Sequence, residues 1–396
     1  MIYLSSTICA YPCNVPRGCL LLIFALTSLG TLPAKAVTPE SPEVIELVNL
    51  GLRYLESKTT AELGGKCLVG LCFLKAPEKQ PNHPRVAEAL KACQEVARKG
   101  SVEAFIQEHD DGVYSNGLAV IFLCELDADR HRSLIDFYLS AMQKRQKPHG
   151  GWGYNVSPSG DTSQTQYGAL AYWEAHRRGF AIDPASVERL AEWLKKVQDP
   201  SGAWAYQGEI SPTDKRIPQK QIDITCSRVS ACMGSSLICA DLFGLLQANS
   251  DEGLAGLLPG ALQESSPEGK AARPPLRSSS LDRESLFETI QLGDQWMDKN
   301  FKIDIGMFNS YYLYALERYR SFQEKQTGIR PDEPDWYNKG YRYLKDSQIS
   351  PGKWETGCQR EGVIDTAFSI LFLVRSTQKA LELGEGTLLA GRGLPA

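Results

Sequence analysis

Val44, Leu47, Val48, Leu52 and Leu55 recur at steps of three and four residues, the spacing of one helix face. Ser41-Pro42-Glu43 stands just ahead of them and supplies an N-cap, a proline in the first turn and an acid on the positive end of the helix dipole. Elsewhere the pattern changes. Ala119-Val-Ile-Phe-Leu-Cys124 and the run from Ala367 to Val374 have no polar face, and the segment from Cys226 through Val229 and Cys232 to Leu237 is similar. A helix that is apolar all round is a buried one. Alternating apolar and polar runs joined by hairpin turns are missing. The expected class is all-α, with amphipathic outer helices paired to apolar inner ones.

A repeat sets the number of pairs. Q-x3-G-x-W is spelled three times, from Gln146 to Trp152, Gln198 to Trp204 and Gln348 to Trp354, in a chain with seven tryptophans among 396 residues. Trp193-Leu194 and Tyr343-Leu344 precede the second and third copies at one spacing. Weaker copies are Gly112-Val-Tyr114 after Phe105-Ile106, Gly306-Met-Phe308 after Trp296-Met297, and Gly64-Gly-Lys66 after Tyr54-Leu55. In each copy the glycine is expected to stop the outer helix in the left-handed conformation, with the ring stapling the turn. Asp161-Thr-Ser-Gln164 fits a capping box opening the following helix. Six units that cannot bury their apolar faces alone must stack or close. The expectation is an α/α toroid of about six helical hairpins over residues 41–380.

Residues 1–36 hold no acid, Arg17, an apolar run from Cys19 to Leu29, and Ala34-Lys35-Ala36. That is the plan of a signal peptide cleaved after Ala36, and the run is shorter than the roughly 20 residues of a spanning helix. The mature chain is expected to be exported, periplasmic or secreted, with no integral membrane span after processing. Without Arg17 and Lys35 it carries 41 basic against 47 acidic side chains, a net of −6, with no basic stripe, which excludes nucleic acid as a partner class. Its eight cysteines permit disulfides in an exported chain, but most sit in apolar helical runs and also read as small buried hydrophobes. Residues 248–284 hold 14 Gly, Pro or Ser among 37 and no aromatic ring, so a loose insertion is expected there, and a loose tail at 381–396.

Q-x3-G-x-W on helical hairpins, with Asp-Thr at the next helix start, resembles the terpenoid cyclase and protein prenyltransferase superfamily of squalene-cyclase-type repeats. The resemblance implies the toroid. It implies activity less directly, since one fold hosts cyclases, prenyltransferases and thioester domains. Hopene-type cyclases protonate an alkene with a D-x-D-D-T-A cluster. Aligned on Asp365-Thr366-Ala367, the preceding residues here are Gly362, Val363 and Ile364, and before Asp161 they are Pro158, Ser159 and Gly160, so no second carboxylate perturbs the first. Asp161, Asp223 and Asp365 then read first as helix caps. Asp127-Ala-Asp129 reads as a solvated link. The prenyltransferase zinc set is matched only by Asp223-Ile-Thr-Cys226, one residue too long, and all five histidines lie at or before 176. Gly357-Cys358-Gln359-Arg360-Glu361 departs from the thioester motif. No metal or cofactor is expected.

The candidate cavity or binding residues are Asp161, Asp223, Asp365, Tyr154, Tyr167, Trp173 and Tyr206, with Tyr311 and Tyr312 beside them; the rings are either core filler or the lining of a central apolar cavity. His149 and His176 read as exposed loop ends. The expected function is an exported toroid that lacks the family's catalytic acid cluster and zinc ligands and binds an apolar small molecule or a protein partner. An active terpene cyclase or prenyltransferase with unrecognised acids, and a structural interaction module, are the alternatives. A cavity lined by paired carboxylates would favour the enzyme, and a filled centre the interaction module.

Overall fold

The computed structural model describes residues 36–108, 112–155, 157–246, 274–278, 280–358 and 360–385. They form fourteen α-helices: α1 Pro42–Glu56, α2 Leu63–Lys75, α3 Pro84–Lys99, α4 Val102–Glu108, α5 Gly112–Asp127, α6 Arg132–Arg145, α7 Thr162–Arg177, α8 Pro184–Lys196, α9 Cys226–Leu242, α10 Arg283–Asn300, α11 Asn309–Thr327, α12 Asp335–Ser347, α13 Val363–Leu373 and α14 Ser376–Glu385. Among the described residues the only extended pairings are two isolated bridges, one of them Gln198 to Trp204.

The helices close on themselves. α2 packs on α5, α5 on α7, α7 on α9, α9 on α11, α11 on α13, and α13 back on α2. These six are the inner ring, and nearly every residue of α5 and α9 is buried. Around them stand α1, α3, α6, α8, α10 and α12, with charged outer faces and apolar inner ones such as Val187, Leu190, Trp193 and Leu194 on α8. α12 seats on α13 through Tyr337, whose ring stacks on Phe372 at 5.5 Å and whose hydroxyl donates to Leu373 O at 2.7 Å. The described residues make an all-α, α/α toroid of six hairpins.

The repeated turn is the joint between neighbouring outer helices. Gln146, Gln198 and Gln348 each donate Nε2–H to the carbonyl of the motif glycine, at 2.8, 2.9 and 3.1 Å. The same nitrogens reach the next outer helix: Ser186 O on α8 at 2.9 Å, Thr289 O on α10 at 2.9 Å, and Leu47 O on α1 at 3.2 Å. Trp152, Trp204 and Trp354 are fully buried, and each indole N–H donates to a carbonyl ten residues back, on Met142, Leu194 and Leu344. Gly150, Gly202 and Gly352 have φ of 103°, 95° and 115°, and a Cβ there would run into the carbonyl of Arg189, Leu292 or Leu50 on the next outer helix. Glycine is required twice over, by the left-handed backbone and by the close approach.

Several expectations need correction. The motif glycine does not end the outer helix; α6 and α12 have Gln146 and Gln348 as their C-caps, and the glycine closes a tight turn four residues later. Gly64 lies inside α2 and Gly112 opens α5, so those two copies do not make the turn. The outer helix of the second unit is α3, whose Val86, Ala89 and Cys93 are its only buried residues, while Phe105-Ile106 sits on the short α4 against α6. Most of the 248–284 insertion lies outside the described residues, but its end is held: Leu276 N donates to Leu242 O at 2.8 Å, and Ser280 N–H reaches Glu188 Oε1 at 3.4 Å. The tail begins inside α14, since residues 381–385 are helical; 386–396 lie outside the described residues, as do residues 1–35 of the expected leader. The Cys67 and Cys93 thiols touch at 3.5 Å between α2 and α3. No helix among the described residues is long and apolar enough to cross a membrane.

Candidate functional site

The inner helices begin at one mouth of the ring, and there Asp161, Tyr154 and Tyr206 come together. Asp161 is the N-cap of α7: one carboxylate oxygen accepts the Gln164 amide at 3.0 Å and the Ser163 hydroxyl at 2.5 Å. Its other oxygen, Oδ2, is buried, and the Tyr206 hydroxyl stands beside the carboxyl. Burial pushes the Asp161 carboxyl above its ordinary range, against the Ser163 hydroxyl and the Gln164 amide, which pull it down. Tyr154 and Tyr206 hydroxyls lie 3.4 Å apart, and burial, Tyr154 and the nearby Asp161 charge raise the Tyr206 phenol. Thr162 donates both N–H and Oγ1–H to Tyr206 O, and Arg228 lies over the Tyr206 ring at 5.1 Å. The capping box is only half formed, because both polar side-chain atoms of the buried Gln164 lack partners.

Asp223 and Asp365 are not caps. Thr225 caps α9, accepting the Arg228 amide at 3.4 Å, while Asp223 ends a preceding 3-10 turn and offers Arg228 its backbone carbonyl. α13 starts earlier than Asp365, at the left-handed Gly362, so Asp365 falls in the first turn. There its carboxylate accepts the Thr356 hydroxyl at 2.5 Å and the Cys358 amide at 3.2 Å, tying down the loop before the helix. Thr366, not Asp365, repeats a contact of α7: it receives the Trp354 amide at 3.1 Å as Thr165 receives the Trp152 amide at 3.0 Å.

Trp173 lies near the C-terminal end of α7, donating to Asp241 Oδ2 at 2.7 Å, with the Arg177 guanidinium 4.4 Å from its ring centre. Tyr312 is buried and donates to Lys302 O at 2.6 Å. His176 is buried, against expectation, because α7 runs through Arg177 and keeps it within the helix. His149 stacks on Trp193 at 5.9 Å and accepts the Gly151 amide; burial lowers its pKa. Among the described residues no three His, Cys, Asp or Glu side chains are placed to hold a metal ion.

Buried side chains of the inner helices meet inside the ring. α7 and α11 flank α9, and the buried bond from Arg318 NH1 to Gln166 Oε1, at 2.6 Å, joins them past it. Gln166 also donates to the Tyr311 hydroxyl, and Tyr167 packs edge-on against Tyr114 at 5.3 Å. Phe368 sits against Tyr311 at 5.5 Å and Tyr314 at 5.2 Å. A void of about 10 Å³, room for about one water, is bounded by residues including Leu71, Leu170, Tyr314 and Leu371 with Lys75 and Glu174. α14 packs across α11 and α13, with the Glu317 carboxylate accepting the Thr377 amide at 3.1 Å and Arg375 paired to Glu324 at 2.7 Å. On the outer layer a groove of about 450 Å³ runs between α8 and the start of α10, lined by charged side chains such as Glu188, Arg189 and Lys196 and by Trp193, Leu281 and Leu286.

Arg318, Gln166 and Glu317 escaped the sequence reading. The signal was present: Glu317-Arg318 is a charged pair in the middle of an inner helix.

A scan of protein families finds no match, and no curated protein matches. Among solved structures the chain is similar to an arginine-to-alanine variant of the type II terpene cyclase MstE from Scytonema, in complex with its substrate geranylgeranyl dihydroxybenzoate. The identity is 12%, the TM-score 0.45, and the match covers 85% of this chain and 97% of that one.

Proposed function

We propose that this protein is an exported, non-enzymatic binding module that uses a closed toroid to present its mouth to a protein partner. The observation that carries the reading is the buried Arg318–Gln166 bond that ties α11 to α7, with a void of about 10 Å³ bordered by Tyr314 nearby, where a chain-like apolar molecule needs hundreds. The mouth supplies a surface instead. Ile222 on the turn before α9 is 91% exposed, and Met307 and Phe308 on the loop into α11 are 69% and 46% exposed. Large apolar side chains held in water at one end of a rigid scaffold suit a partner's apolar side chains. Calorimetric titration of the purified protein with squalene and with a long-chain prenol tests this. No saturable heat is expected; saturable binding that is weakened by Arg318→Met would overturn it.

A second reading rests on Asp161, whose carboxyl, raised by burial, lies beside Tyr206 and through it Tyr154. Burial favours the protonated form of this carboxyl, the form of a proton donor. This reading expects turnover of a prenyl substrate that disappears in Asp161→Asn; an inert protein with a range of prenyl alcohols and polyenes removes it.

A further inference from the structure

Cys67 on α2 and Cys93 on α3 bring their thiols to 3.5 Å, and both side chains are wholly buried. Among the described residues no other pair of thiols is in contact. Cys72 donates instead to the Leu68 and Ala367 carbonyls, and Cys226 to Asn300 O. The two helices run close at this point. A Cβ placed on Gly70, one turn along α2, would stand 3.2 Å from the Ala89 Cβ, one turn back along α3. Antiparallel helices at that range bring facing Cβ atoms near the roughly 3.5–4.5 Å that a disulfide spans.

The pair sits where the ring's own fastener is missing. Each motif glutamine ties one outer helix to the next: Gln146 joins α6 to α8, Gln198 joins α8 to α10, and Gln348 joins α12 to α1. α3 is the one outer helix outside these bonds, and with Val86, Ala89 and Cys93 it has the fewest buried residues of the six. Its middle is held at Cys93, whose carbonyl accepts the Tyr138 hydroxyl of α6 at 2.9 Å and whose thiol lies against Cys67.

We propose that Cys67 and Cys93 close to a disulfide that staples α3 to α2. The oxidant is a disulfide donor of the kind an oxidising compartment supplies, so the staple's use in the cell rests on the export reading. The thiolate of one cysteine attacks the donor disulfide, forms a mixed disulfide and releases one donor thiolate. The second cysteine's thiolate then attacks the mixed disulfide, the Cys67–Cys93 bond forms, and the other donor thiolate leaves. Two thiols have given up two protons and two electrons, and one donor disulfide has become two thiols. The attacking species is a thiolate, and burial pushes the Cys67 thiol above its ordinary range. The exchange therefore belongs to the folding chain, before α3 shuts onto α2.

The test refolds the full chain from urea in oxidised and reduced glutathione, alkylates the remaining thiols and maps the peptides by mass spectrometry. Peptides joined through Cys67 and Cys93 are expected, with Cys72, Cys124, Cys226, Cys232, Cys239 and Cys358 alkylated. Reducing the bond should lower Tm by about 5 °C, and Cys93→Ala should melt alike with and without reductant. Should Cys93→Ala fail to fold, the peptide map and the wild-type melts decide. The same map on acid-quenched protein from the exported fraction of its host reads the pair without refolding. Alkylated Cys67 and Cys93 in either preparation, or a bond from one of them to a different cysteine, overturns the proposal; a joined pair whose reduction leaves Tm unchanged overturns the staple. Glutathione is added in the refolding experiment, so a chain that begins at Met1 in its host removes the cleavage after Ala36 and leaves the refolding result standing.

Discussion

Gln348 donates its side-chain amide to the carbonyl of Leu47, 301 residues away in sequence, and so joins the last outer helix to the first. The same bond is made by Gln146 to Ser186 and by Gln198 to Thr289 within the ring. Gln348→Ala would leave the Leu47 and Gly352 carbonyls without this donor, which costs about 1–3 kcal/mol. Gln198→Ala should cost more, because Gln198 is fully buried and also accepts from Arg216 Nε at 2.8 Å. Urea unfolding of the two variants measures the order, and hydrogen exchange in Gln348→Ala should rise first in α1 and α12.

Trp204→Ala removes a buried indole that donates to Leu194 O and packs on Gly293 of the next outer helix. A loss of roughly 3–5 kcal/mol is expected. Gly352→Ala should lose more than about 1 kcal/mol from the left-handed backbone alone, with the overlap on Leu50 O added. Thermal melts would show both, and a Trp204→Ala protein with parental Tm would mean that the ring does not staple the turn.

Asp161 gives a pH signature. Its folded carboxyl is raised, so folding favours the protonated form; the stability tied to it is complete below the ordinary value of about 3.9 and is lost as pH rises through the higher folded value. Asn caps helices as well as Asp, so Asp161→Asn should gain stability over the parent as pH rises from about 4 toward neutral. Denaturant midpoints at stepped pH measure this. A difference that stays flat, or that shrinks as pH rises, would show that the carboxylate is stabilised in the fold.

The helical hairpins were legible because burial writes itself into periodicity: α1 shows one apolar face, and α5 shows apolar residues all round. The turn was legible in letters but not in shape. Q-x3-G-x-W marks where Gln146, Gln198 and Gln348 stand, while their second bond goes to a neighbouring helix whose position no local pattern encodes. Asp161 and Asp365 share an Asp-Thr dipeptide yet differ in role, because Gly362 takes up the left-handed start of α13 and shifts the frame. α3 was hidden by its charge, with only Val86, Ala89 and Cys93 buried. Arg318 escaped the sequence reading because its partner, Gln166, stands 152 residues away on another inner helix.

The N-terminus supplies a separate test. If Ala34-Lys35-Ala36 is a cleavage site, the protein recovered from the exported fraction of its host begins at Val37, whose amide is bonded to Asn338 Oδ1 at 2.8 Å. Edman sequencing that reads Met1 would remove the proposed cleavage after Ala36.

The centre of the ring decides the account. A crystal structure of the protein purified from its native host, without added lipid, should show Arg318 NH1 bonded to Gln166 Oε1 and side chains filling the space between α7 and α11. Continuous elongated density running between those helices, with Arg318 and Gln166 drawn apart, would contradict it and make the toroid a container.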